Sequence, residues 1–332
     1  MKRTRTSNLG DGEEDRRTMT KMVRRLGFVL ALGYLLACTG GCETSRIQTP
    51  TEKATSPPVV AVTNYPLSFF AKQLAGPWID VTFPVAKDLS QQGPSGWQPA
   101  AATVMKMQQA DKVFINGGGF ESWLPMVTLS ESSIVDTSQS IQDEWVEIAQ
   151  DIAHQHGPEG EKTETETAYS TWVNPDLAIR QARTITDNLI ALDPAHKEEY
   201  EANFLLLEEQ LKALEQMLIE RSPFVREGNL IAAQPVYQYL AQATGAKFRN
   251  LNWPLNSAID PQQWAQLDAL LEKQKTQGVL WSGKLDEQTA QEFQKRGLHV
   301  IRFDTLASAP TEGDYVSHMK KNIARLRPVA TN

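Results

Sequence analysis

The chain has 332 residues, of which 41% are hydrophobic and 22% charged, a balance that suits about two globular domains and excludes whole-chain disorder or a polytopic membrane protein. The formal charge is −7, but the first 25 residues are net basic, and from Cys38 onward 25 Lys and Arg face 36 Asp and Glu, leaving −11. A surface this acidic repels phosphate backbones, so no nucleic acid is expected as a partner.

Behind the basic run Lys21 to Arg25 lies an uncharged stretch, Leu26 to Ala37. Its twelve residues fall short of the ~20 needed to cross a bilayer core and match the h-region of a signal peptide. It ends at Leu35-Leu36-Ala37-Cys38, which resembles the lipobox of bacterial lipoproteins, where the cysteine is acylated and becomes the first mature residue. Cys42, after Thr39-Gly40-Gly41, is a second candidate, and a third reading has the two cysteines in a disulfide or within an uncleaved anchor. No cysteine follows, so the folded part contains neither a disulfide nor a thiolate metal site. The expected layout is a signal peptide over residues 1–37, then a lipidated terminus and flexible tether over 38–58, the polar Glu43 to Pro58 being rich in Thr and Pro. The expected location is the cell envelope, on a lipid anchor outside the cytoplasmic membrane.

From Val59 short apolar runs alternate with amphipathic stretches, the pattern of a parallel α/β architecture. Strands are predicted at residues 59–63, 81–85, 112–116 and 133–136, and again at 230–233, 247–251, 278–281 and 299–303; two groups imply two lobes. Between them residues 175–221 read as helical, with Pro194 opening a new helix at its first turn. Pro194 to Arg221 contains no Gly or further Pro and repeats Leu205, Leu207, Leu211, Leu214 and Leu218 at helical spacing. At ~1.5 Å per residue it spans roughly 40 Å, enough for one helix joining both lobes, although an antiparallel pair within one lobe satisfies the same pattern. The expected boundaries are 59–193 for the N-terminal lobe, 194–221 for the linking helix and 222–332 for the C-terminal lobe.

Several segments, in order, resemble the substrate-binding proteins of zinc and manganese ABC transporters (cluster A-I). They are Val60 to Leu67 (VAVTNYPL), Ala110 to Leu124 (ADKVFINGGGFESWL), Asp260-Pro261 with the helix after it, and the closing stretch Asp314 to Leu326. The resemblance covers about residues 59–327. It implies two Rossmann-like α/β lobes joined by a single long backbone helix, a ligand cleft between the lobes, and an ABC permease and ATPase as partners of a lipid-anchored, monomeric receptor. It implies no enzyme and no cofactor, zinc or manganese being cargo.

The family holds its metal with four side chains, usually His, His, His or Glu, and Asp or Glu. Aligned by their flanking residues, those positions here are Ser95, Ser170, Gln234 and Asp304. Three of four usual ligands are therefore replaced, and a serine hydroxyl, protonated near neutral pH, is a poor zinc donor. Without imidazoles, binding of Zn²⁺ or Mn²⁺ is expected to be weak; hard cations favour oxygen donors, but in sites with several carboxylates or carbonyls. The second reading is a degenerate family member that binds a metal chelate, an organic solute or a protein partner. Trp97, Trp172 and Trp281 are candidate pocket aromatics, and equally candidate core. His154 and His156, in an acidic loop where zinc-binding members carry a His-rich one, form a candidate auxiliary metal loop. A hydrolase has no G-x-S-x-G elbow to stand on, and Gly117-Gly118-Gly119 completes no nucleotide-binding motif.

Overall fold

The computed structural model describes residues 56–328 other than 86–96, 150–164, 254–257, 274 and 277. The first lobe is built on β1 (Val59–Val62), β2 (Asp80–Thr82), β3 (Lys112–Ile115) and β4 (Ile134–Asp136), paired in the order β2-β1-β3-β4. A two-stranded antiparallel hairpin, β5 (Glu147–Ala149) with β6 (Thr165–Thr167), follows it. The second lobe is built on β7 (Ile231–Ala232), β8 (Arg249–Asn250), β9 (Gly278–Trp281) and β10 (His299–Arg302), in the order β10-β9-β7-β8. Every pairing within the two larger sheets is parallel. The eight predicted strands are all present, most of them shorter than expected, whereas the charged β5–β6 hairpin was not predicted.

Eight α-helices complete the described fold: α1 (Tyr65–Ala75), α2 (Ala101–Gln108), α3 (Pro175–Leu192), α4 (Lys197–Glu227), α5 (Gln238–Thr244), α6 (Pro261–Lys273), α7 (Glu287–Lys295) and α8 (Tyr315–Arg325). Helix starts carry their own signals. Asn64 caps α1 by accepting from the Leu67 amide at 2.8 Å, and Asn174 caps α3 ahead of Pro175 at its first position. Asp314 and Ser317 form a reciprocal capping box on α8.

The long helix is single. It starts three residues later than expected, because Pro194–His196 form a 3₁₀ turn leading into it, and it runs beyond Arg221 to Glu227. Pro223 lies inside this last stretch, where the Ser222 hydroxyl donates to the Leu218 carbonyl at 3.0 Å. Helix α4 packs against α1 and α3 on one side and α5 and α8 on the other, so both lobes share it. Leu207, Leu211, Leu214 and Leu218 are buried as the spacing predicts, but Leu205 is 61% exposed.

One hydrophobic core runs through both lobes, from Val60, Ala61 and Val62 through the α4 leucines to Met319 and Ile323 of α8. A second, smaller core lies on the other face of the C-terminal sheet. Strand alternation separates the two: Leu280 of β9 joins the shared core, while Val279 and Trp281 enter the smaller one.

Candidate functional site

In parallel α/β sheets, ligands sit beyond the carboxyl ends of the strands. Here those ends carry Thr63 and Asn64 after β1, Asn116 after β3, Gln234 shortly after β7, Ser282 and Gly283 after β9, and Asp304 and Thr305 shortly after β10.

The lobes meet around Trp172. This side chain is fully buried, its indole N–H donates to the Thr305 carbonyl, and its own carbonyl accepts from the Tyr315 hydroxyl at 2.6 Å. The Tyr315 ring packs on Phe69 and Phe70 of α1, with centroids 5.7 and 5.1 Å away. Nearby, the Tyr65 amide donates to the Ala307 carbonyl at 3.1 Å, and the Tyr239 hydroxyl to the Ala168 carbonyl at 2.9 Å. Leu306, between Thr305 and Ala307, has φ +63°, a left-handed conformation that a leucine adopts only when its surroundings enforce it. That turn is what aims two alternate carbonyls, those of Thr305 and Ala307, at the other lobe.

Three of the four positions implied by the family resemblance are described. Ser170 is buried at the start of a 3₁₀ turn, Thr171–Val173. Gln234 is fully buried; its Oε1 accepts from the Ser282 amide at 3.0 Å, and its Nε2 has no hydrogen-bond partner. Asp304 is partly exposed, its Oδ1 accepting from the Gly283 amide at 2.7 Å and its Oδ2 lying 3.4 Å from Arg302 Nη2. Asn322 of α8 brackets the Asp304 backbone, taking its amide at 3.3 Å and donating to its carbonyl at 2.7 Å. Gln234 and Asp304 are thus tied to adjacent residues of one loop, Ser282 and Gly283. Buried Tyr237 donates to the Phe303 carbonyl at 3.0 Å, and burial, with the Asp304 charge second, holds its hydroxyl well above the ordinary tyrosine range.

Among the described residues, the N-terminal side is a buried polar network in which no Lys or Arg takes part. Glu121 accepts from the Thr63 hydroxyl at 2.6 Å and from the Asn116 and Gly117 amides at 2.8 and 3.0 Å. Burial outweighs these bonds and pushes its carboxyl up to about 7. Asn116 passes the network on, donating to the Tyr169 carbonyl next to Ser170 at 2.9 Å, and accepting from Asn64, Thr171 and Gln181.

Of the candidate aromatics, only Trp172 stands at the lobe junction. Trp97 packs edge-on against Trp123, 5.3 Å between centroids, and Trp281 packs against Phe293 in the smaller core, on the sheet face opposite Leu280. Ser95, His154, His156, Cys38 and Cys42 lie outside the described residues. Among the described residues no group of three or more His, Cys, Asp or Glu side chains is placed to hold a metal ion, and no helix is long and apolar enough to cross a membrane. Ser170, Gln234 and Asp304 together offer one carboxylate and no imidazole, unlike the nitrogen and sulfur donor sets usual for zinc. The Gly283 amide takes one lone pair of Asp304 Oδ1, and a dication at this carboxylate would lie beside the Arg302 guanidinium. Sequence reasoning missed Tyr315, Thr305, Arg302 and Glu121; Glu121 and Tyr315 stand inside the two longest resembling segments, which is the signal they offered.

The chain is similar to the manganese ABC transporter substrate-binding lipoprotein PsaA of Streptococcus pneumoniae, 25% identical over 315 residues covering 90% of this chain and 95% of that one. It is 24% identical over 287 residues to the zinc-binding lipoprotein AdcA of the same species, covering 81% of this chain and 55% of AdcA. Among solved structures, the metal-dependent lipoprotein YcdH of Bacillus subtilis superposes with a TM-score of 0.66 at 20% identity, covering 81% of this chain and 98% of YcdH. The Mn²⁺ complex of the substrate-binding protein FpvC of Pseudomonas aeruginosa gives 0.67 at 16% identity, covering 81% and 96%. The model of the family ZnuA, the periplasmic zinc-uptake complex component A, matches residues 60–328, and this chain belongs to that family.

Proposed function

We propose that this protein is the extracytoplasmic, lipid-anchored substrate-binding component of a metal-type ABC uptake transporter. It takes its ligand between the two lobes and delivers it to a permease driven by an ATPase, as a monomer and without catalysis. The observation that carries this reading is the family match over residues 60–328, which includes the lobe junction at Trp172 and the surviving Asp304. The uncharged stretch ending at Cys38, with Cys42 as the second acylation candidate, supports export and anchoring.

The second reading, a family member that has exchanged free Zn²⁺ or Mn²⁺ for a chelate, an organic solute or a protein partner, is favoured by Asp304 being held by Gly283 and Arg302 and by the Ser and Gln at the other positions. The test is uptake of labelled zinc, manganese and iron by cells with and without the gene. Reduced uptake of one of them, restored by the wild-type chain, supports the transporter reading, and unchanged uptake of all three removes it. In the same cells Cys38→Ala is expected to release the protein from the membrane fraction; retention that is lost in Cys38→Ala/Cys42→Ala assigns the anchor to Cys42, and retention in both assigns it to the uncleaved apolar segment.

A further inference from the structure

The C-terminal side of the cleft offers hydrogen-bond donors where a metal site offers lone pairs. Gln234 is fully buried, and because its Oε1 takes the Ser282 amide, its amide cannot flip to satisfy Nε2. An unpaired buried N–H is costly and uncommon, and at a ligand site it marks a donor that waits for an acceptor. Nearby, the one carboxylate, Asp304, is already matched by Arg302, whose Nη2 lies 3.4 Å from Oδ2 and 3.3 Å from the Gly283 carbonyl. Arg302 also lines a surface cavity of about 570 Å³ together with His299, Arg325 and Arg327. That cavity gathers three guanidinium groups in a chain whose net charge is −7, and Arg302 is the residue it shares with the Asp304 contact. Such a concentration of cationic forks is the recognition chemistry of carboxylate and phosphate oxygens.

We propose that the cleft ligand is an oxyanion-bearing solute, free or wrapped around a metal, whose oxygens accept from Gln234 Nε2 and Arg302. This rests on the cleft being the ligand site, as proposed above, and it names what the cleft takes: a metal enters it inside an anionic complex and not as the aqua ion. Ser170 and Ser282 add hydroxyls suited to the same oxygens. Gln234 is fully buried in the closed arrangement, so the lobes have to part to admit the ligand.

The test is calorimetric titration of the full-length protein in detergent with citrate, inorganic phosphate, Zn²⁺, Mn²⁺, and the citrate complexes of Zn²⁺ and Fe³⁺. Binding of citrate, phosphate or a citrate complex is expected, with free Zn²⁺ and Mn²⁺ about a hundredfold weaker. Arg302→Ala and Gln234→Met are each expected to weaken the anion about tenfold, the loss of one hydrogen bond to a charged group. Arg302 is half-exposed, so its variant reports even if the buried Gln234→Met chain fails to fold. Tighter binding of a complex than of its bare anion assigns a chelated metal, and equal or tighter binding of the bare anion assigns a free solute. Tight binding of free Zn²⁺ that is lost in Asp304→Ala overturns the anion while leaving the transport reading intact. No binding of any of these anions, or wild-type affinity in the Arg302 variant, overturns it as well. The cellular uptake experiment decides the transport reading separately.

Discussion

The Tyr315 hydroxyl donates to the Trp172 carbonyl at 2.6 Å across 143 residues of sequence, while the Trp172 indole N–H reaches the Thr305 carbonyl ten residues before that tyrosine. Trp172 is therefore held from both ends by the segment that closes the chain, and this double contact sets how the two lobes meet. Removing only the hydroxyl, in Tyr315→Phe, leaves the ring on Phe69 and Phe70 but strands a buried carbonyl, at a cost of about 1–3 kcal/mol. Urea unfolding is expected to show a lower midpoint with an unchanged slope. An unchanged midpoint means the bond contributes nothing to the closed arrangement.

Gly117 is the position where glycine is required. Its φ is +75°, and a Cβ built there overlaps the Asp136 carboxylate, which is itself tied to the Ser138 amide at 2.8 Å and cannot simply swing aside. Gly117→Ala combines a left-handed alanine, roughly 1 kcal/mol, with overpacking of about 1–3 kcal/mol. Thermal unfolding of the variant is expected to fall by several degrees. Since the Gly117 amide also donates to Glu121, the loss of that bond places the result toward the upper end.

In the smaller core, Phe293 is the ring that touches the three tryptophans Trp253, Trp264 and Trp281, at centroid distances of 5.9, 5.2 and 5.8 Å. Phe293→Ala is expected to cost about 3–5 kcal/mol, because it removes a fully buried ring from the centre of this core and leaves a cavity among the tryptophans. The near-ultraviolet circular dichroism of the tryptophans is expected to weaken with it. A variant that retains both the signal and the stability shows that the rings repack without their neighbour.

What could be read beforehand follows from how far apart the interacting residues lie. β9 is an uninterrupted apolar run, β3 is one after its opening Lys112, and the α4 leucines repeat every three or four residues, so local pattern exposes them. The β5–β6 hairpin pairs Glu-Ile-Ala with Thr-Glu-Thr, three residues a side with a Glu in each, too short and too polar to register. Trp97, Trp172 and Trp281 look alike in sequence, because a tryptophan's apolar ring suits a pocket wall and a core equally. Only the alternation of β9 decides that Trp281 faces away from Leu280. At the candidate site, Ser170, Gln234 and Asp304 were placed by their flanking residues, but the Asp304 contact with Gly283 and the Trp172 contact with Thr305 join positions 21 and 133 residues apart, and no local pattern encodes them.

Glu121 makes stability pH-dependent in an unusual direction. Its carboxyl is raised by burial from an ordinary 4.5 to about 7, so between those values the folded chain keeps a proton that the unfolded chain has released. The neutral form's full advantage is present below pH 4.5 and is lost as pH rises to about 7, a decline of about 3 kcal/mol if Glu121 acts alone. Asp136, the neighbouring carboxylate, is raised by burial too and adds to the same slope. Glu121→Gln cannot ionise, yet its amide meets the Gly117 N–H with another N–H and so forfeits one hydrogen bond. The variant is therefore expected to be less stable than wild type at pH 5 and to draw level or better by pH 8, read as urea midpoints across that range. Parallel pH profiles for the two proteins would show that Glu121 does not titrate between 5 and 8. The Asn116 amide donates to Glu121 and its side chain to the carbonyl beside Ser170, so the titrating group lies two hydrogen bonds from that position.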